Sequence, residues 1–239
     1  MSDPAARIAD NLAGVRERIA AAAARSGRSG DSVLLVAATK YQSEPAIRAL
    51  LAAGCRHLGE SRPQELWAKC ETLGNATTSG QIYWHLIGHL QRNKIRRTLP
   101  LVTLIHSVDS LRLIQAIDAE AQGESLTADC LLEVNISGED AKHGLAPHDV
   151  EPLIAQLGSF KRLRVLGLMG MAAFEGGGEV ARRNFVALRG LRDRLAPNCP
   201  PNVVLNELSM GMSGDFEAAI EEGATIVRVG SALFVGCDG

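Results

Sequence analysis

Apolar positions along this chain follow two spacings that alternate. From Pro4 to Arg25 an alanine-rich stretch sets Ile8, Leu12, Val15 and Ile19 at intervals of four, three and four. That predicts an amphipathic helix, stopped by Gly27 and Gly30. After it come eight short runs rich in leucine and β-branched residues: VLLVAATK (33–40), RHLGE (56–60), IYWHLIG (82–88), LVTLIHSV (101–108), CLLEVNIS (130–137), RVLGLMG (164–170), VVLNELSM (203–210) and TIVRVG (225–230). Between them lie SEPAIRALLAAG, DSLRLIQAIDAEAQ, PHDVEPLIAQLG and GDFEAAIEEG, whose apolar residues recur every third or fourth position. Strands that are apolar throughout, strictly alternating with helices, predict a parallel sheet covered outside by helices. Eight such units in about 210 residues predict an α/β fold, a (β/α)8 TIM barrel with an extra N-terminal helix. An open doubly wound sheet is the rival, but LVAATKYQSE stands where that fold expects G-x-G-x-x-G after its first strand. No linker, charge block or repeat divides the chain, so residues 1–239 are read as one domain. FEGGGE (174–179) reads as a flexible connection after the sixth strand.

Composition narrows the function. Hydrophobic residues make up 46% of the 239, ample for a core, and 25 Lys+Arg against 27 Asp+Glu leave a net charge of -2. There is no basic excess to hold a phosphate backbone, so nucleic acid is not the expected partner. Cys55, Cys70, Cys130, Cys199 and Cys237 are odd in number and never form C-x-x-C, which argues against a disulfide framework and against a zinc cage. Asp3, Pro4, Arg7 and Asp10 do not suit a signal peptide, and no apolar run reaches the roughly 20 residues of a membrane span. A cytoplasmic location without membrane association is the expectation.

In a barrel, chemistry belongs at the C-terminal ends of the strands. Lys40 ends the first run and shares parity with Ala38, Val36 and Leu34, which would aim it at the barrel mouth; a solvated lysine is the plainer alternative. A partly desolvated lysine supplies the neutral amine that forms a Schiff base with an aldehyde. The seventh run ends LSMGMSGD, bringing Ser209, Gly211, Ser213 and Gly214 into one turn before a helix, and the eighth ends at Gly230 and Ser231. Two such turns on adjacent strands can cradle a phosphate, although each alone is ordinary capping. Arg228, between Val227 and Val229, needs a partner such as Glu207 or Glu133, or else a ligand. His85 and His89 share strand parity, but no third metal ligand has a clear claim, and no metal is expected. The basic residues that follow, Arg92, Lys94, Arg96 and Arg97, read as a solvated helix face. The polar loops around Glu60, Ser61 and Arg62 and around Asn135, Ser137, Glu139, Asp140, Lys142 and His143 are ordinary solvated loops on their own.

Taken together, LVAATK, WHLIGHLQRNK, IHSVDS, VNISGEDAKHGL, GLMGM and LSMGMSGDFEAAIEEGATIVRVGSALF resemble the pyridoxal 5′-phosphate (PLP) homeostasis protein family, the YggS/PROSC type, from about residue 33 to 236. The resemblance implies a barrel related to the N-terminal domain of alanine racemase, binding PLP covalently. It implies Lys40 as the Schiff-base lysine, Ser209, Gly230 and Ser231 at the phosphate, Arg228 at the pyridine nitrogen, and His85, Met210 and Ser213 near the cofactor. Where the family reads G-E-N, this chain has Gly59-Glu60-Ser61, and the proline that usually follows the lysine closely comes only at Pro45. Both changes bear on the shape of the pocket.

An arginine against the ring nitrogen donates only, so it disfavours the protonated pyridine that makes PLP a strong electron sink. Racemisation needs a base on each face of the substrate. The resemblance implies that true alanine racemases take the second base, a tyrosine, from a further domain, and this chain's only tyrosines are Tyr41 and Tyr83. The expected function is therefore PLP storage, buffering or transfer to apo-enzymes, with exchange to free amino acids, in a monomer or weak homodimer. A low-activity amino-acid racemase is the alternative, and a barrel without cofactor the third reading.

Overall fold

The computed structural model describes residues 3–139, 143–173 and 175–237, leaving Asp140, Lys142 and Phe174 outside the described residues. Eight parallel strands close into a barrel in chain order: β1 (Leu34–Ala38), β2 (His57–Glu60), β3 (Tyr83–Leu86), β4 (Leu104–Val108), β5 (Ala128–Val134), β6 (Leu163–Gly170), β7 (Val203–Ser209) and β8 (Ile226–Val229). The ring shuts where Val36 of β1 pairs with Arg228 of β8. Each strand matches one predicted run to within three residues at either end. Closure rules out the doubly wound rival, which would leave two sheet edges.

The helices are α1 (Pro4–Arg25), α2 (Glu44–Ala52), α3 (Pro63–Leu73), α4 (Asn75–Thr78), α5 (Ile95–Thr98), α6 (Leu111–Gly123), α7 (Val150–Ile154), α8 (Gly177–Leu195) and α9 (Phe216–Glu221). Among the described residues only a short 3₁₀ turn, Ser231–Leu233, follows β8, with no crossover helix there. The N-terminal helix takes its place. α1 packs between α2 and α9 and buries Ile8, Leu12, Val15 and Ile19 there. Its polar flank is tied down on both sides, by Arg16 to the carbonyls of Ala53 and Gly54 and by an Arg18–Glu217 ion pair. Burying each branched side chain contributes about 1.5–3 kcal/mol, which explains the regular stripe.

Two expectations need adjustment. The FEGGGE segment is a shorter connection than its composition suggests, because Gly176, at φ 101°, turns the chain and α8 begins at Gly177. The basic run after β3 is not merely solvated: the Arg97 guanidinium lies 4.4 Å from the centre of the Trp67 ring and pairs with Glu71 at 2.6 Å. The cysteines among the described residues are all free thiols. Among those residues, no helix is long and apolar enough to cross a membrane.

The strands present two different faces. Outward residues such as Ala37, Leu58, Trp84 and Ile105 join the helices in one continuous apolar layer. Inward, Val36, Leu104, Leu131, Met169 and Ile226 form a small separate cluster. Leu34, Ile87, Leu166 and Met171 pack against it, and His85, His106, Glu133, Ser209 and Arg228 are buried polar residues of the same strands.

Candidate functional site

Lys40 stands in a turn two residues past the end of β1. Leu34 and Val36 pack in the inner cluster while Ala37 packs outward, so Lys40 stands on the inward parity at the rim, where it is exposed. The next residue, Tyr41, takes φ 66°, an uncommon conformation for a residue with a Cβ, in the turn that follows β1. Across the sheet, Gly230 sits against Ala38: a Cβ added at Gly230 would lie 3.3 Å from both the Cβ and the carbonyl oxygen of Ala38. Arg228 lies two residues below Gly230 on the same parity, so the rim lysine and the buried arginine occupy one side of the barrel at different depths.

Arg228 is buried and donates to Ser209 Oγ at 2.5 Å, to the Ser209 carbonyl at 2.8 Å and to the Gly170 carbonyl at 3.1 Å. Among the described residues no carboxylate accepts from it directly. Burial lowers its pKa to about 10, against the opposing fields of Glu133 and Asp215. Of the two acidic partners expected from the sequence, Glu133 faces the arginine as a field, whereas Glu207 is held by the Thr225 hydroxyl at 2.5 Å, by the opposite end of the barrel. Glu133 is itself buried, and desolvation raises its pKa, helped by Asp109.

The two predicted turns meet. Gly211, at φ 93°, allows the chain to pass the start of α9, where a Cβ would lie 2.9 Å from the Phe216 Cα. Asp215 Oδ1 accepts from the Met212 N–H at 2.6 Å and shapes the turn. Ser213 does not cap its own helix. Its hydroxyl oxygen crosses to β8 and accepts from the N–H groups of Gly230 at 3.1 Å and Ala232 at 3.3 Å. An oxygen thus already occupies the amide of Gly230, a residue that the resemblance places at the phosphate. Met210, by contrast, buries its side chain in the outer apolar layer, away from the mouth.

His85 does not reach the rim. It lies inside the barrel with both ring nitrogens engaged, to His57 at 3.0 Å and to His106 at 2.9 Å, and it also lines a cavity of about 350 Å³ at the N-terminal end of the strands. His106 and His57 are the polar interior residues that motif reading missed. Their inward parity, shared with Leu104 and Gly59, was the available signal. On the far side of the mouth, in three successive βα loops, His89 Nδ1 lies 3.4 Å from Asp109 Oδ2 and the His89 ring stacks on His143. In the departure from G-E-N, Glu60 is fully buried and accepts from Thr39 Oγ1 at 2.6 Å and Lys69 Nζ at 2.5 Å, so this carboxylate braces α3 rather than facing the mouth. Ser61 follows it at the strand end, half-buried.

Known proteins place this arrangement. Residues 9–238 match the family described as alanine racemase, N-terminal domain. A curated relative from Aquifex aeolicus, named pyridoxal phosphate homeostasis protein, is 40% identical over 225 residues, covering 94% of this chain and 96% of its own. PipY of Synechococcus elongatus, solved with PLP bound, superposes with a TM-score of 0.82 at 34% identity, covering 95% of this chain and 99% of that one. An alanine racemase of Clostridium difficile shares the fold, with a TM-score of 0.71 at 16% identity, and this chain covers 56% of its length. The closed barrel and these near full-length matches show that the chain belongs to the alanine racemase N-terminal domain family, among the pyridoxal phosphate homeostasis proteins.

Proposed function

We propose that this protein binds PLP at the barrel mouth, attached covalently to Lys40, and serves cytoplasmic PLP homeostasis by storing the cofactor, limiting the free aldehyde and passing it to apo-enzymes or amino acids. The observation that carries the reading is Arg228, a buried cation on the inward parity below Lys40 to which no carboxylate among the described residues is bonded. Three neutral oxygens already accept from it, and a cation matched only by such oxygens favours an added anionic or lone-pair partner. The oxygen of Ser213, held by the Gly230 and Ala232 amides, supports a phosphate oxygen fitting the same turn, beside Ser231 and Ser209. The names of the relatives and the PLP in PipY support the identity of the ligand.

Bound PLP supplies an electrophilic carbon and a ring able to delocalise charge. The protein's own groups limit that second capacity. Arg228 donates and cannot accept, so facing the pyridine nitrogen it would leave that nitrogen unprotonated. Lys40 is exposed, which leaves the attachment point open to incoming amines. A racemase would need a second base opposite Lys40. Tyr41 is 85% exposed, and Tyr83 stacks on His57, below the barrel interior. That placement favours the carrier over the racemase.

Borohydride reduction in the presence of PLP, followed by peptide mapping, tests the reading. One pyridoxyl adduct on Lys40, absent from Lys40→Ala, is expected. Scattered adducts that persist in the variant would overturn it. Saturation at a hundred times Kd should stabilise the wild type by about 2.7 kcal/mol and leave Lys40→Ala less protected.

A further inference from the structure

Five polar side chains form an unbroken line through the barrel that cofactor binding alone does not require. From the mouth inward, Arg228 donates to Ser209 Oγ at 2.5 Å, and Ser209 Oγ lies 2.9 Å from His106 Nδ1. His106 Nε2 lies 2.9 Å from His85 Nδ1, and His85 Nε2 lies 3.0 Å from His57 Nδ1. The first four residues are buried, and half-buried His57 opens on the cavity at the other end. Burial keeps the three rings neutral, with His85 lowered to about 3 and His106 held well below its usual value.

The direction of these bonds follows from counting hydrogens. A neutral imidazole has one N–H and one lone pair, so all three rings must be oriented alike for every link to form. Arg228 only donates, and Ser209 has a single hydrogen to dispose of. Given to His106 Nδ1, that hydrogen fixes the proton of each ring on Nε2, and His57 presents an N–H to the cavity. Given to an acceptor at the mouth, it leaves His106 to donate from Nδ1 into the Ser209 oxygen. His85 and His57 then carry their protons on Nδ1 too, and His57 presents a bare lone pair.

We propose that this line is an occupancy relay, in which a phosphate oxygen that takes the Ser209 hydrogen reverses all three histidine tautomers and turns His57 from donor to acceptor at the far end of the barrel. The inference rests on the PLP reading and on phosphate contact at Ser209. The step balances: Ser209 passes its hydrogen to His106 Nδ1 and receives another, from the phosphate's own hydroxyl or from water, which it then donates as a hydrogen bond to the phosphate oxygen; each ring passes one proton along, and one leaves His57 Nε2 to water. The interior gains no charge. The cavity's other polar groups include the carboxylates of Asp31, Asp129 and Glu207, all acceptors. With His57 also an acceptor, the filled protein favours a small ammonium or amide donor there. By linkage such a donor would tighten binding at the mouth.

Long-range proton–nitrogen NMR of imidazole-labelled protein, with and without PLP, tests the relay. The expected result is a change of the protonated nitrogen from Nε2 to Nδ1 at His106, His85 and His57 together. In His106→Phe, which cuts the line, PLP should leave His57 unchanged. If the Lys40 adduct forms while the wild-type rings keep their tautomers, or while His106 alone changes, the relay is overturned and the binding reading stands. If no Lys40 adduct forms, both fall. The wild-type spectra decide the matter even if the variant does not fold.

Discussion

The two faces of the same eight strands obey opposite rules. Outward residues are apolar and interchangeable in kind, packed by helices into one layer. Inward, only a small apolar cluster remains, and His85, His106, Glu133, Ser209 and Arg228 fill the rest under almost complete burial. Burial is similar on the two faces, so burial cannot explain the difference. Polar groups in a dry interior cost stability unless each is matched, and matching on this scale is the mark of a face shaped by ligand chemistry rather than by packing.

The contrast breaks most visibly by truncation. Phe185→Ala in the outer layer should cost about 3–5 kcal/mol in urea unfolding while the folded fraction still takes PLP at Lys40. Loss of the adduct at full folding would show that the outer layer also shapes the mouth.

Acid titration separates the faces next. An unfolded histidine titrates near 6.5, whereas burial keeps His85 unprotonated down to about 3 in the folded protein. Between those values the unfolded state binds more protons, so stability falls as pH drops, by about 1.4 kcal/mol per pH unit for each ring held neutral. Glu133 and Asp215, with raised values, act in the opposite sense. The difference in slope between wild type and His85→Gln therefore isolates the ring. Urea midpoints at pH 7, 6 and 5 should converge for the variant; parallel lines would mean that His85 is charged in the folded state.

The legibility of the sequence follows the same division. Outer-layer periodicity predicted all eight strands, the closed parallel barrel and the buried stripe Ile8, Leu12, Val15 and Ile19, because apolar burial is a local, repeating demand. It did not predict where α1 docks, since contact with both α2 and α9 exists only once the ring has closed. Lys40, Arg228 and the glycine turns were legible from motif and parity. His106 and His57 were not, because a polar residue in a strand reads as solvated until the closed ring makes it internal. For Ser213 the sequence leaves a cap and a place near the cofactor both open, and only the approach of β8 to the turn after β7 gives its hydroxyl two amides from another segment.

Replacing the inner cation should reverse the first result. Arg228→Met removes a donor to which no carboxylate among the described residues is bonded, leaving Ser209 Oγ and the Gly170 carbonyl short of a partner. A cost of about 1–3 kcal/mol is expected from those unmatched acceptors, partly offset by losing a desolvated charge. PLP uptake should fall far more than stability does, measured as adduct yield at a fixed folded fraction. An unchanged yield would remove Arg228 from the site and return it to a purely structural role.

The smallest effect is expected at Ser213, where the two faces meet at the rim. Its hydroxyl holds the Gly230 and Ala232 amides in the free protein, and Ser213→Ala leaves them to water. The site is half-buried, so the loss should be about 1 kcal/mol, a shift of roughly 2–4 °C in Tm for a chain of this size. If a phosphate oxygen uses the same amides, saturating PLP should shrink the difference between variant and wild type, because the ligand then supplies what the hydroxyl did. If the difference persists undiminished with the Lys40 adduct in place, the phosphate sits elsewhere in the mouth and the Ser213 turn is structural.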